Sequence, residues 1–158
     1  MANKRLIDRC KRDGSFQFAV LFLDIDNFKH VNDSLGHSHG DRLLIAVAEL
    51  LTSAVRSEDT VARIGGDEFT ILLSHIEGLD EASHVADTVV EMLADPFVID
   101  GVEHFVGASI GIVNDDTRES SAAVVAIPDK GVGIIAAGQD VSIAIAVDIA
   151  NMLRVGAA

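Results

Sequence analysis

The sequence predicts an α+β fold, with a mostly antiparallel central sheet and flanking helices. Three observations carry that prediction. Phe16-Gln17-Phe18-Ala19-Val20-Leu21-Phe22-Leu23 is an almost unbroken apolar run, the pattern of a central strand buried on both faces. Two further apolar runs, Thr60-Val61-Ala62 and Phe69-Thr70-Ile71-Leu72-Leu73, flank the pair Gly65-Gly66. Adjacent glycines between strand-like runs read as a tight hairpin turn, because glycine reaches positive φ without steric cost. Residues 41–56 and 79–95 carry apolar side chains at three- and four-residue spacing, as helices lying on a sheet do.

The elements follow in order. Residues 3–13 read as a short helix with Leu6, Ile7 and Cys10 on one side, ended by Gly14. The buried strand over 16–23 runs out into Asp24-Ile25-Asp26. A carboxylate just past the carboxyl end of a buried strand is where α/β sites sit, although Asp26 is equally placed to cap the helix that follows. A short helical stretch covers 27–33. A turn is expected over 34–41, with Gly36 and Gly40 as breakers. In the helix over 41–56, Leu43, Leu44, Val47, Leu50, Leu51 and Val55 form the apolar stripe. The Gly65-Gly66 hairpin spans 60–74. The next helix, 79–95, turns Leu79, Ala82, Val85, Val89, Met92 and Leu93 inward and stops at Pro96. A second hairpin is expected from strands at 97–100 and 103–113, turning at Asp100-Gly101. Beyond a polar loop at 114–121, short strands are expected at 124–127, 132–135 and 141–147, with a last helical turn at 148–154.

Composition narrows the function. A chain of 158 residues with 49% hydrophobic and 23% charged side chains is large enough for one domain with a core of its own. Its 25 acids against 12 Lys and Arg give a net charge of −13. That argues against nucleic acid or an anionic membrane surface as a partner, since both need a basic face. The single cysteine allows no internal disulfide and fits a reducing, cytoplasmic compartment. No signal peptide and no bilayer-length apolar run is visible. His37 and His39 do not make the four-ligand spacing of a zinc site.

The chemistry gathers at Arg63-Ile64-Gly65-Gly66-Asp67-Glu68-Phe69. Here a rigid turn carries two acids beside bare glycine backbone, a setting that suits a metal ion with a phosphate ligand. Together with Asp24-Ile25-Asp26-Asn27-Phe28-Lys29, Asn32-Asp33, Gly36-His37 and Gly40-Asp41, all in this order, the chain resembles the GGDEF family of diguanylate cyclases. The resemblance runs from Asn3 to Val113 and closes in Ser109-Ile110-Gly111-Ile112.

It implies a nucleotidyl-cyclase fold, a ferredoxin-like palm. It also implies condensation of two GTP molecules into cyclic di-GMP with release of two pyrophosphates, by two domains facing each other in a homodimer. Carried over, Asp24 and Asp67 are the metal carboxylates, with the Ile25 carbonyl assisting and Glu68 beside them. Two Mg²⁺ or Mn²⁺ ions per site suit such hard oxygen ligands. Gly65 and Gly66 let backbone approach the phosphates. Asn32 and Asp41 resemble the guanine-reading pair. Phe28 and Lys29 resemble residues that close over the triphosphate, Lys29 supplying charge. Arg56-Ser57-Glu58-Asp59 matches the family's RxxD inhibitory site, where Arg56 and Asp59 would contact product cyclic di-GMP.

Two departures stand beside the match. Only Asn3-Lys4-Arg5 remains of the family's leader, which implies a longer parent protein with an upstream sensor. The family's last helix, with a lysine and an arginine for the GTP phosphates, has no counterpart in residues 120–158. The expected organisation is therefore a GGDEF domain at 1–119 and an atypical segment at 120–158. That ending is either a divergent one or the product of a shifted reading frame. The departures keep open a second reading: a GGDEF module that binds GTP or cyclic di-GMP without turnover and regulates a partner domain.

Overall fold

The computed structural model describes residues 17–114 and 122–125, the last four by backbone alone. The expected helix at 3–13, the loop at 115–121, the elements after 125 and the boundary at 119/120 lie outside the described residues. Within them the strands are β1 (Phe18–Ile25), β2 (Thr60–Gly65), β3 (Glu68–Ser74), β4 (Phe97–Ile99), β5 (Val102–His104), β6 (Ala108–Asn114) and β7 (Ala122–Val125). The helices are α1 (Phe28–Leu35), α2 (His37–Ser53) and α3 (Leu79–Leu93). None of these helices is long and apolar enough to cross a membrane.

The apolar run becomes the middle of a five-stranded sheet ordered β2-β3-β1-β6-β7, with β1 antiparallel to both neighbours. Side chains alternate across a strand, so Ala19, Leu21, Leu23 and Ile25 share one face. The register sets Leu21 between Ile71 and Ile112, and Leu23 between Phe69 and Ile110. These rows are buried and form the centre of the core. Leu43, Leu44, Val47 and Leu51 of α2 and Ala82, Ala86, Val89 and Leu93 of α3 complete it. Val20 and Val113, opposite each other on the other face, are buried as well, which accounts for the nearly continuous hydrophobicity of β1.

Three expectations need correction. The helix expected from Asp41 begins at His37, because only Gly36 breaks the chain, at φ 87°, while Gly40 lies inside α2. Asp26 does not cap α1. Its N-cap is Asn27, left-handed at φ 63° and with no side-chain cap bond. The expected strand over 103–113 is two strands. β5 pairs with β4 in a separate two-stranded sheet, turning at Asp100-Gly101 with φ 53° and 79°, whereas β6 joins the main sheet. The change of partner falls at Gly107, whose carbonyl leaves the β5 line and accepts the Asp26 N–H at 2.9 Å.

A buried polar link ties that small hairpin to α2. His39 Nε2 and His104 Nε2 lie 2.8 Å apart, one donating and the other accepting. Asp100 Oδ2 lies 3.4 Å from His39 Nδ1 and 2.6 Å from an Arg42 guanidinium nitrogen.

Candidate functional site

The carboxyl end of β1 and the β2–β3 turn form one corner. Asp24 faces Glu68 across the β1–β3 ladder and Ser109 across the β1–β6 ladder. One step on, the Ile25 N–H donates to the Asp67 carbonyl at 3.0 Å, so the turn is clasped to the end of the central strand. Gly66 holds φ 50°, and the register slips between Arg63 and Gly65, a bulge that re-aims the tip. The Arg63 Nε–H closes the turn by donating to the Gly66 carbonyl at 2.8 Å. Asp24 and Glu68 are exposed and Asp67 is half-buried, so the acids front solvent over a rigid backbone. Asp26 is held on the far side, where its Oδ1 accepts the Ser109 hydroxyl at 3.3 Å.

Helix packing brings Asn32 against Gly40, one residue before Asp41. Asn32 lies on α1, and its Oδ1 is buried without a hydrogen-bond partner among the described residues. It rests on Gly40: a Cβ built there would sit 1.9 Å from Asn32 Oδ1 and 3.1 Å from the Phe28 ring. Asp41, the next residue, is exposed. Glycine at 40 therefore makes room, and the sequence reading of it as a helix breaker missed that role. Phe28 itself is buried at 7% exposure against this contact, so its side chain supports α1. Lys29 is exposed on the same helix with no ion pair among the described residues.

Arg56 and Asp59 are not part of this corner. They lie at the other end of β3, since Asp59 Oδ1 accepts the Ser74 N–H at 2.8 Å. Six residues of antiparallel strand separate Ser74 from Glu68, a span of about 20 Å. Asp59 Oδ2 accepts the Arg56 N–H at 3.0 Å, so both carboxylate oxygens clamp backbone. The Arg56 guanidinium pairs with Glu81 in the first turn of α3. Arg56, Asp59, Leu73, Ile76, Glu81 and Val85 line a small surface pocket there. Glu81 also accepts the Glu77 N–H at 2.8 Å. That bond first, and the Arg56 charge after it, hold its carboxyl below the ordinary value despite an opposing desolvation effect.

The donor set at the corner suits Mg²⁺ or Mn²⁺ better than zinc. Among the described residues no group of three or more His, Cys, Asp or Glu side chains is disposed to hold a metal on its own. Two carboxylates and a backbone carbonyl agree with an ion that takes one or two protein carboxylates and completes its shell with substrate phosphate and water.

This arrangement defines the class, an α+β domain of the nucleotidyl-cyclase palm type with an acidic hairpin at its functional edge. The family model described as "Diguanylate cyclase, GGDEF domain" matches residues 2–130, and the chain belongs to that family. It is 49% identical over 96 residues to the bifunctional diguanylate cyclase/cyclic di-GMP phosphodiesterase MucR of Pseudomonas aeruginosa, covering 61% of this chain and 14% of MucR. It is 42% identical over 113 residues to the probable diguanylate cyclase DgcE of Escherichia coli, covering 70% of this chain and 10% of DgcE. The solved GGDEF domain of TpbB (YfiN) from Pseudomonas aeruginosa superposes with a TM-score of 0.65 at 36% identity, covering 72% of this chain and 70% of that one. The chain thus spans a small part of the curated relatives' length.

Proposed function

We propose that this chain is the GTP-condensing domain of a diguanylate cyclase, acting as a homodimer in the cytoplasm within a longer, sensor-coupled protein. The observation that supports the reading is the Ile25–Asp67 backbone bond, which ties the turn that bears Asp67 to the end of the strand that bears Asp24. Two GTP molecules react head to tail. Each ribose 3′-oxygen attacks the other α-phosphorus, two P–O bonds form, two α–β bonds break, and two pyrophosphates leave. Asp24, Asp67 and the Ile25 carbonyl would hold two Mg²⁺ or Mn²⁺ ions, with Glu68 beside them. Bound, these ions supply charge neutralisation at the triphosphate and acidify the 3′-hydroxyl. Gly65 and Gly66 admit the phosphates to the backbone, and Lys29 offers them a positive charge. Asp41 accepts from guanine N1–H and N2–H, which adenine cannot match, and Asn32 donates to the purine through Nδ2. Product cyclic di-GMP inhibits at the site of Arg56 and Asp59.

The reading is tested by incubating the chain with GTP and Mg²⁺ and following cyclic di-GMP. Turnover that Asp67→Ala abolishes supports it; no turnover by the unmodified chain overturns it.

A second reading has its own observation: residues 120–158 contain no counterpart of the family's phosphate-binding lysine and arginine helix. In that case the domain binds GTP or cyclic di-GMP and regulates a partner domain. A rise in melting temperature with GTP and no product formed would favour it.

A further inference from the structure

We propose that Glu81 is a built-in competitor at Arg56, occupying its guanidinium in the empty protein and setting the cyclic di-GMP concentration at which that pocket fills. The proposal rests on reading Arg56 as an anion site.

Among the described residues that line its pocket, Arg56 is the only cation. Its guanidinium is already engaged by the Glu81 carboxylate from across the pocket, 25 residues on in the chain. The two carboxylate oxygens divide their work. Oε1 meets Arg56, and Oε2 accepts the Glu77 N–H ahead of α3. The competitor is therefore pinned by a backbone bond that does not depend on Arg56. The same bond, more than Arg56, holds its carboxyl below the ordinary value, so it is charged at neutral pH. A phosphodiester approaching Arg56 has to displace this carboxylate from the guanidinium while remaining near its negative charge. The overall charge of −13 adds to the opposition. The displaced contact is partly solvated, with side-chain exposures of 57% for Arg56 and 23% for Glu81, so it is modest and reversible, as a regulatory threshold requires.

Asp59 cannot play the same part. Its carboxylate is committed to the Arg56 and Ser74 backbone N–H groups and holds the loop that presents the arginine.

The experiment is calorimetric titration of the full chain with cyclic di-GMP, in four forms: unmodified, Glu81→Gln, Arg56→Ala and the double variant. The glutamine amide keeps an oxygen for the Glu77 N–H, so the start of α3 is preserved. Glu81→Ala serves as a second variant that has to move affinity in the same direction. Glu81→Gln is expected to tighten binding about three- to tenfold, by freeing the guanidinium and removing a like charge. Most of that gain should vanish in the Arg56→Ala background. Affinity unchanged or weakened in Glu81→Gln, with Arg56→Ala still weakening binding, overturns the competitor role and leaves the site reading standing. Affinity indifferent to Arg56→Ala overturns the site reading itself.

Discussion

Replacing Gly40 by alanine probes the guanine-reading role proposed for Asn32 and Asp41 while leaving both residues in the sequence. The new methyl would sit 1.9 Å from Asn32 Oδ1 and 2.9 Å from its Cγ, where ordinary contact begins at 3.4 Å. The Asn32 amide must therefore withdraw by about 1.5 Å, or rotate out of its well. The methyl also stands 3.1 Å from the buried Phe28 ring, so retreat in that direction is resisted. Two stability effects oppose each other. Alanine in a helix gains about 1 kcal/mol over glycine, and overpacking costs about 1–3 kcal/mol. The fold should survive with a loss of at most about 2 kcal/mol. Binding changes more clearly. If Asn32 bonds the purine as proposed, that bond, worth about 1–1.5 kcal/mol, should be lost and GTP affinity should drop about tenfold. The assay pairs a GTP titration with a thermal melt, for Gly40→Ala alone and combined with Asn32→Ala. With no amide left to displace, the methyl should cost almost nothing in affinity in the Asn32→Ala background. Unchanged GTP affinity in the single variant, or an equal loss in both backgrounds, refutes the reasoning.

Further outcomes follow from other contacts. Leu21→Ala, at a position with 0% exposure between Ile71 and Ile112, should cost about 2–5 kcal/mol in denaturant melts, and a cost below about 1 kcal/mol would contradict the packing described. Asp59→Ala removes acceptors from two backbone N–H groups and should cost about 1–2 kcal/mol, whereas Arg56→Ala, at an exposed pair, should change stability far less; equal costs would argue against the clamp. Glu81 has its carboxyl held below its ordinary value of 4.5, so it contributes stability above that pH and loses it as pH falls through the lower folded value. The stability difference between the unmodified chain and Glu81→Gln should accordingly be largest above pH 4.5 and close in acid, and a difference independent of pH would exclude this linkage.

The parts of the fold that sequence made visible are those decided locally. The apolar run of β1, the stripes on α2 and α3, the turns at Gly65-Gly66 and Asp100-Gly101 and the stop at Pro96 each depend on neighbouring residues alone. The acidic corner was legible because its motifs are short and strictly ordered. What sequence could not display are pairings between distant elements. Glu81 meets Arg56 across 25 positions, and His39 meets His104 across 65. No spacing rule links those residues until the sheet order is known. Gly40 shows the same limit in another form. Glycine breaks helices in general, but here the Asn32 and Phe28 side chains of α1 lie where a Cβ would stand, and that fact belongs to packing. The split of residues 103–113 was hidden too, because the apolar pattern continues through a change of strand partner.

The place of β1 in the sheet bears on how the protein comes apart. Asp24 and Ile25 lie on a strand hydrogen-bonded along both sides, so freeing their amides requires the ladders to β3 and β6 to part together. Arg56 sits beside β2, which among the described residues has a partner on one side only. Amide exchange should therefore be slowest around Leu21 to Ile25 and faster around Thr60 and Val61. In rising denaturant, the Arg56 pocket should lose its shape before the acidic corner does.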